Sequence, residues 1–308
     1  MSASTIKKRV VVVVNKWWEC DPVMFVLSND YVRPQGLSWP GILHYPWPQH
    51  TFSKEPRAIF NMGNTTAETW CISDLLAQYP NDSCNQSSSQ KKMTVLPLIL
   101  SYSTQPPDLV IAVGTAAFYP DSVSNNGSVV IGSKVFMHNG HPNGENPCSN
   151  WQGGPFDQIL NSTLSATDFK TITDFSQFSP AVPGYFLVEK TDPAVNPGIY
   201  ANYGYVALND INVTDYSEYE QKDLETMKAY MERYHDRNCR SLETTHGLIK
   251  IALGSNTPFM FVSGIVDRYG CFDIDVPNPP YVQNTVGAHN AGVVIGYLLV
   301  NIDNLYSQ

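Results

Sequence analysis

The chain has 308 residues, 43% of them apolar or aromatic and only 15% charged, with a formal charge of −9. That is ample apolar material for a sizeable core. The acidic balance repels phosphate backbones and argues against nucleic acid as a partner, and the absence of any run of ~18 apolar residues argues against a membrane partner. The six cysteines, at 20, 71, 84, 148, 239 and 271, are irregularly spaced with no CxxC pair, so neither a zinc site nor a small disulfide scaffold is signalled. Asn-x-Ser/Thr sequons at Asn64, Asn81, Asn85, Asn126, Asn161 and Asn212 read as products of composition, because no secretion signal accompanies them. The expectation is a reduced, cytoplasmic protein.

Lys8 to Val14, a continuous β-branched run, predicts a central parallel strand apolar on both faces. A loop over Asn15–Asp21 follows, with Asp21 as N-cap and Pro22 in the first turn of a helix. The stretch 28–56, rich in Pro, Trp, Tyr and His, reads as an ordered excursion. Arg57–Met62 predicts a strand, Gly63 to Thr66 a turn and Ala67–Gln78 a helix, with a polar loop over Pro80–Lys92. Asp108–Val113 is the next strand, ended by Gly114-Thr115-Ala116-Ala117. Val129–Phe136 gives two short β segments around a turn. Ala181–Asp192 and Gly198–Leu208 are further strands, the second carrying Tyr200, Tyr203 and Tyr205. Helices are expected at Tyr216–His235 and Leu242–Leu253, a strand at Phe259–Val266, and a closing helix at Thr285–Val300 whose Gly and Ala content predicts close packing on a sheet. The alternation of strands and helices predicts a single three-layer α/β/α domain.

In open α/β sheets ligands gather at the carboxyl ends of strands. The residues following the predicted strands are Asn15, Trp18, Glu19 and Asp21; Gly63, Asn64 and Thr65; Gly114, Thr115 and Ala116; and Asp267 with Arg268. Small hydroxyl- and amide-bearing turns thus meet two sets of carboxylates. Each signal also has a purely structural explanation: Glu19 and Asp21 can cap a helix, Gly114-Thr115-Ala116 can be a plain turn, and the tyrosine stripe can be packing.

Order and spacing together resemble the nucleoside phosphorylase and methylthioadenosine/adenosylhomocysteine nucleosidase superfamily. VVVVVNKWWECDPV resembles its first strand and acidic loop. DLVIAVGTAAFYP resembles its D-hydrophobic-G-S/T-A-G-G segment, and VVIGSKVF the V-x-x-G-D-hydrophobic-V turn. SLETTHGLIKIAL and PFMFVSGIVDRYG resemble its V-x-M-E-x-A-A-x-A and P-hydrophobic-x-x-hydrophobic-R-x-I-S-D segments. The resemblance covers most of the chain, with insertions near 28–56, 80–95 and 140–180, and implies a mixed central sheet of the nucleoside phosphorylase type.

It also implies residue roles. Glu243 matches the glutamate that accepts hydrogen bonds from ribose hydroxyls, and Asp267 the aspartate that faces purine N7 and protonates the leaving base. Thr115 matches the small hydroxyl residue that holds attacking water or phosphate, and Glu19 or Asp21 is the first-loop acid that polarises water. Gly114, Asn64, Tyr203, Tyr205, Leu242, Thr244 and His246 complete the expected substrate-binding set. Thr244, Thr245 and His246 replace the small residues usual after the ribose glutamate, and Val266 replaces the serine before the aspartate. Phosphorylases bring arginines to phosphate; here Ala112 stands before Val113-Gly114, Lys16 is the only first-loop cation, and Arg57 and Arg268 are the nearest substitutes. The implied function is hydrolysis of a purine-type nucleoside without metal or cofactor. The alternatives are phosphorolysis with phosphate as co-substrate, a non-catalytic binding or storage protein, and an enzyme on a non-nucleoside molecule held behind the aromatic segment 31–56. Family members are usually oligomers, so a homo-oligomer is expected, with His138 and His141 as candidates to reach a neighbour's site.

Overall fold

The structure, a computed structural model, describes residues 7–28, 41–44, 50–78, 89–118, 126–137, 158–176, 198–201, 205–208, 240–268 and 281–306, with residues 225, 228, 229, 232, 271 and 275 individually. The valine run forms β1 (Lys8–Val14), and its alternation is used on both sides. Val10, Val12 and Val14 point into one apolar cluster, Val11 and Val13 into another. The first cluster is closed by α1 (Trp17–Ser28), α5 (Ala166–Ile172) and α7 (Tyr281–Tyr306). The second is closed by α2 (Ile72–Leu76), α3 (Ser89–Val95), α4 (Pro97–Ser101) and α6 (His246–Leu253). The three-layer α/β/α expectation therefore holds.

The remaining strands are β2 (Gly41–His44), β3 (Ala58–Met62), β4 (Thr65–Cys71), β5 (Leu109–Phe118), β6 (Val129–Gly132), β7 (Lys134–Met137), β8 (Gln158–Leu160), β9 (Ile199–Ala201), β10 (Tyr205–Leu208), β11 (Ser241–Glu243) and β12 (Phe259–Arg268). Among the described residues they form one mixed sheet in the order β2-β3-β4-β1-β5-β11-β10-β7-β8, with β12 pairing β5 and β6, and β6 pairing β9. β1 is parallel to β4 and β5, and β12 is parallel to β5, whereas β5 meets β11 antiparallel.

Several local expectations are corrected. The helix after β1 begins at Trp17, not Pro22. Lys16 is its cap: its carbonyl accepts from the Glu19 and Cys20 N–H groups, and the Glu19 carboxylate reaches back to the Lys16 N–H at 2.9 Å. This reciprocal cap outweighs the Pro22 start signal. Ala67–Cys71 is strand rather than helix. Gly63, at φ +61°, turns β3 back into β4, whose Thr65, Thr66, Thr69 and Trp70 suit a pleated surface. The Gly114-Thr115-Ala116-Ala117 segment does not end its strand. β5 leaves β1 after Val113 but keeps β12 on one edge and gains β11 on the other, so it stays extended to Phe118.

Ser241–Glu243 is a strand between β10 and β5, so the expected helix starts only at His246. The expected Gly198–Leu208 strand is two strands, β9 and β10, on different partners. The polar segment before β5 ends in a helix, α3, rather than a loop. The expected strand at 181–192 lies outside the described residues, as does most of the expected helix at 216–235.

The closing helix is longer than predicted and packs as closely as its composition implied. A Cβ on Gly264 of β12 would come within 2.0 Å of the Gly287 carbonyl oxygen, and one on Gly292 within 3.0 Å of Val23 Cα. The helix is long and apolar enough to cross a membrane, yet 83% of its most apolar window is buried inside the protein. This close approach lies just before the register of β12 against β5 shifts between Ile265 and Asp267, an irregularity of the β-bulge kind.

Candidate active site

The carboxyl ends of β1 and β11 and the middle of β5 converge on Gly114. A Cβ there would lie 3.2 Å from Glu243 Oε1, 3.3 Å from His246 Cε1 and 3.5 Å from Glu19 Oε1. Glycine thus leaves room where three side chains from α1, β11 and α6 meet over one strand. Glu19 Oε1 accepts from the Thr115 N–H at 2.8 Å and from Thr115 Oγ1 at 2.9 Å, while Oε2 accepts from the Lys16 N–H. Glu243 Oε2 accepts from the Thr245 and His246 N–H groups, which leaves Oε1 directed at Gly114. These two N–H groups open α6, where a carboxylate is favoured.

Burial is nearly complete for Glu19, Glu243, His246 and Asp267. Burial and the neighbouring Glu243 charge push the Glu19 carboxyl up to about 7 in spite of its three donors. Burial also raises Glu243, opposed first by Lys92 and then by its backbone donors. His246 is pushed down to about 3 by burial and Lys92, so it is neutral. Its Nε2 pairs with Ser263 Oγ at 2.8 Å, and its Nδ1 stands 3.1 Å from Glu243 Oε2. Lys16 is lowered to about 8, by burial first and Lys92 second.

Lys92 is the residue that sequence reasoning missed. It lies on α3, buried, and donates to Thr245 Oγ1 at 2.7 Å. The polar composition around it signals a loop, and nothing local shows that α3 packs on α6.

The structure separates the two first-loop acids. Asp21 points away from Gly114, accepting from Arg57 Nη1 and pairing with His50 Nε2, each at 2.6 Å. The acid that faces Thr115 is Glu19. Arg57 is fully buried and committed to Asp74 at 2.7 and 2.9 Å as well as to Asp21, so it is no phosphate ligand. Arg268 is held by Asp275. Asn64 is on the wrong rim: β3 runs antiparallel to β4, so its carboxyl end lies beside Lys8, where Asn64 accepts the Lys8 N–H and donates to Asp303.

Leu242 is buried on β11 opposite Ala117, and Asp267 flanks the same Ala117 from β12. Glu243 and Asp267 therefore lie on opposite edges of β5, two strand spacings or roughly 10 Å apart. Thr244 is partly buried, its hydroxyl 3.3 Å from Thr245 Oγ1. Tyr205 lies on β10 beside β7; Tyr203, His138 and His141 lie outside the described residues. Among the described residues no group of three or more His, Cys, Asp or Glu side chains could hold a metal, and Cys20 and Cys71 are free thiols.

Comparison of the whole chain with solved structures decides the fold. A 5'-methylthioadenosine/S-adenosylhomocysteine nucleosidase from Neisseria meningitidis, in complex with methylthio-immucillin-A, is similar with a TM-score of 0.51 and 13% identity, over 95% of this chain and 99% of that one. This is the nucleosidase fold. A putative nucleosidase of the same type from Borrelia burgdorferi B31, bound to adenine, matches the nucleosidase fold seen here with a TM-score of 0.52 and 9% identity, over 94% and 98% of the two chains. Futalosine hydrolase from Helicobacter pylori strain 26695 shares it at a TM-score of 0.50 and 9% identity, over 98% and 100%. No family model matches the chain, and no curated protein matches it by sequence.

Proposed function

We propose that the protein is an N-glycosidic hydrolase acting on a purine-type nucleoside. The observation that carries this reading is the convergence of Glu19, Thr115 and Glu243 on Gly114; Asp267, on the strand along the other edge of β5, takes the part of the acid in this proposal. Glu243 Oε1 accepts from the sugar hydroxyls. Water held by Thr115 and Glu19 attacks the anomeric carbon and gives its proton to ionised Glu19. The glycosidic bond breaks with its electron pair going to the base, which takes a proton from Asp267 and leaves. The products are free base and free sugar.

Water is favoured over phosphate by charge. Arg57 and Arg268 are both committed to carboxylates, Asp74 and Asp275. Among the described residues, a phosphate dianion would enter this buried site beside Glu19 and Glu243 with no arginine fork to meet it. The nucleosidase fold and the nucleoside-like molecules named with its solved members support the substrate class.

The test is to incubate the protein with adenosine, inosine and methylthioadenosine, with and without phosphate, and measure free base. Release independent of phosphate is expected. Release that requires phosphate and yields ribose 1-phosphate would establish the phosphorylase alternative, and no release from any of them would defeat the proposal.

A further inference from the structure

Lys92 is not in the catalytic set described above, yet its setting is unusual for a lysine. Lysine is rarely fully buried without a charge partner. This one donates to Thr245 Oγ1, and the Thr245 N–H donates to Glu243 Oε2, so the ammonium is joined to Glu243 by a two-bond relay through one residue. The charged and titratable groups that interact with it come from three other places: Lys16 just before α1, Glu243 on β11, and neutral His246 on α6.

Two carboxylates that converge on one buried glycine cannot both ionise cheaply. Which of them keeps its charge is decided by their surroundings. Glu19 has two backbone donors and a hydroxyl; Glu243 has two backbone donors and the Lys92 relay.

We propose that Lys92 is a positioning residue that holds Glu243 as the anionic member of the carboxylate pair, so that the exchangeable proton resides on Glu19. The two groups then have separate duties, Glu243 accepting from the ligand and Glu19 exchanging a proton with water. This inference rests on the nucleosidase reading only for those duties; the Lys92–Glu243 coupling is a property of the protein alone. It predicts that removing the ammonium exposes Glu243 to protonation, and that the penalty appears where Glu243 must ionise.

The experiment compares urea unfolding midpoints of wild type, Lys92→Met, Glu243→Gln and the double variant at pH 5 and pH 8. Lys92→Met is expected to lose more stability at pH 8 than at pH 5, and the pH 8 excess is expected to vanish in the Glu243→Gln background. Lys92→Arg, which keeps the charge, should respond as wild type does. If Lys92→Met does not fold, Lys92→Gln, which can still bond Thr245, is measured in its place with the same expectation. A loss equal at both pH values, an excess that survives Glu243→Gln, or an arginine variant that behaves like the methionine variant would each overturn the proposal. Calorimetric titration with adenosine distinguishes this from the functional reading. At least tenfold weaker binding by Lys92→Met at pH 8, restored by Lys92→Arg, is the expected result, and adenosine binding unchanged by Lys92→Met would overturn the positioning role. Wild type that binds none of adenosine, inosine and methylthioadenosine refutes the nucleoside reading, while the urea comparison still decides the coupling.

Discussion

Replacing Glu19 by glutamine tests the electrostatics of the site without needing a substrate. Glu19 is 2% exposed and its carboxyl is raised from 4.5 to about 7 by burial and by Glu243. The folded protein therefore binds this proton more tightly than the unfolded chain does. Stability from this group is fully present below about pH 4.5 and is lost as pH rises through about 7. At ~1.36 kcal/mol per unit the full effect is about 3 kcal/mol, of which about 2.5 kcal/mol falls between pH 5 and 8. Glutamine removes the titration but keeps an oxygen for the two Thr115 donors. It loses the acceptor for the Lys16 N–H, a cost of about 1 kcal/mol that does not depend on pH. Glu19→Gln should thus gain about 2.5 kcal/mol on wild type between pH 5 and pH 8, and be the more stable protein at pH 8 while losing its activity. Urea unfolding of both proteins at the two pH values measures this directly. Equal pH dependence in the two would show that Glu19 is not a charge-strained group and that the reasoning from its burial is wrong.

Gly114→Ala should abolish nucleoside turnover with a change of only a few degrees in Tm, because the added methyl meets Glu243, His246 and Glu19 side chains at 3.2–3.5 Å rather than backbone; kinetics and thermal melting check the two parts. Asp74→Ala should cost about 3–5 kcal/mol in urea unfolding, since it leaves the fully buried Arg57 guanidinium without its bidentate partner. Asp21→Ala, at a position whose side chain is 35% exposed, should cost under about 1 kcal/mol in the same assay and leave kcat within severalfold of wild type.

The layers of the fold were legible because long-range order wrote itself locally. The five valines of β1 need a covered face on each side, and Gly264, Gly287 and Gly292 mark where the closing helix approaches other backbone. Position was legible where it lay within one segment, as with Glu243 close to the start of α6 and Asp267 near the end of β12. It was not legible where direction or distant packing decides. Asn64 follows a strand, but that strand is antiparallel to its neighbour, so the turn faces the opposite rim. Glu19 and Asp21 are two residues apart in a helix, about 200° around its axis, and only the presence of Thr115 on one side and Arg57 on the other assigns them. Lys92 reaches Thr245 across 153 positions of sequence, and no local pattern announces such a contact.

The central claim is that Asp267 and the Glu19–Thr115–Glu243 cluster form one hydrolytic site. The most direct measurement is single-turnover release of free base from adenosine and methylthioadenosine in phosphate-free buffer by wild type and Asp267→Asn, with folding verified by circular dichroism and nucleoside binding by calorimetry. The account predicts base release by wild type and a loss of at least 10²-fold in the variant, which still folds and still binds. Wild-type rates in Asp267→Asn would contradict it.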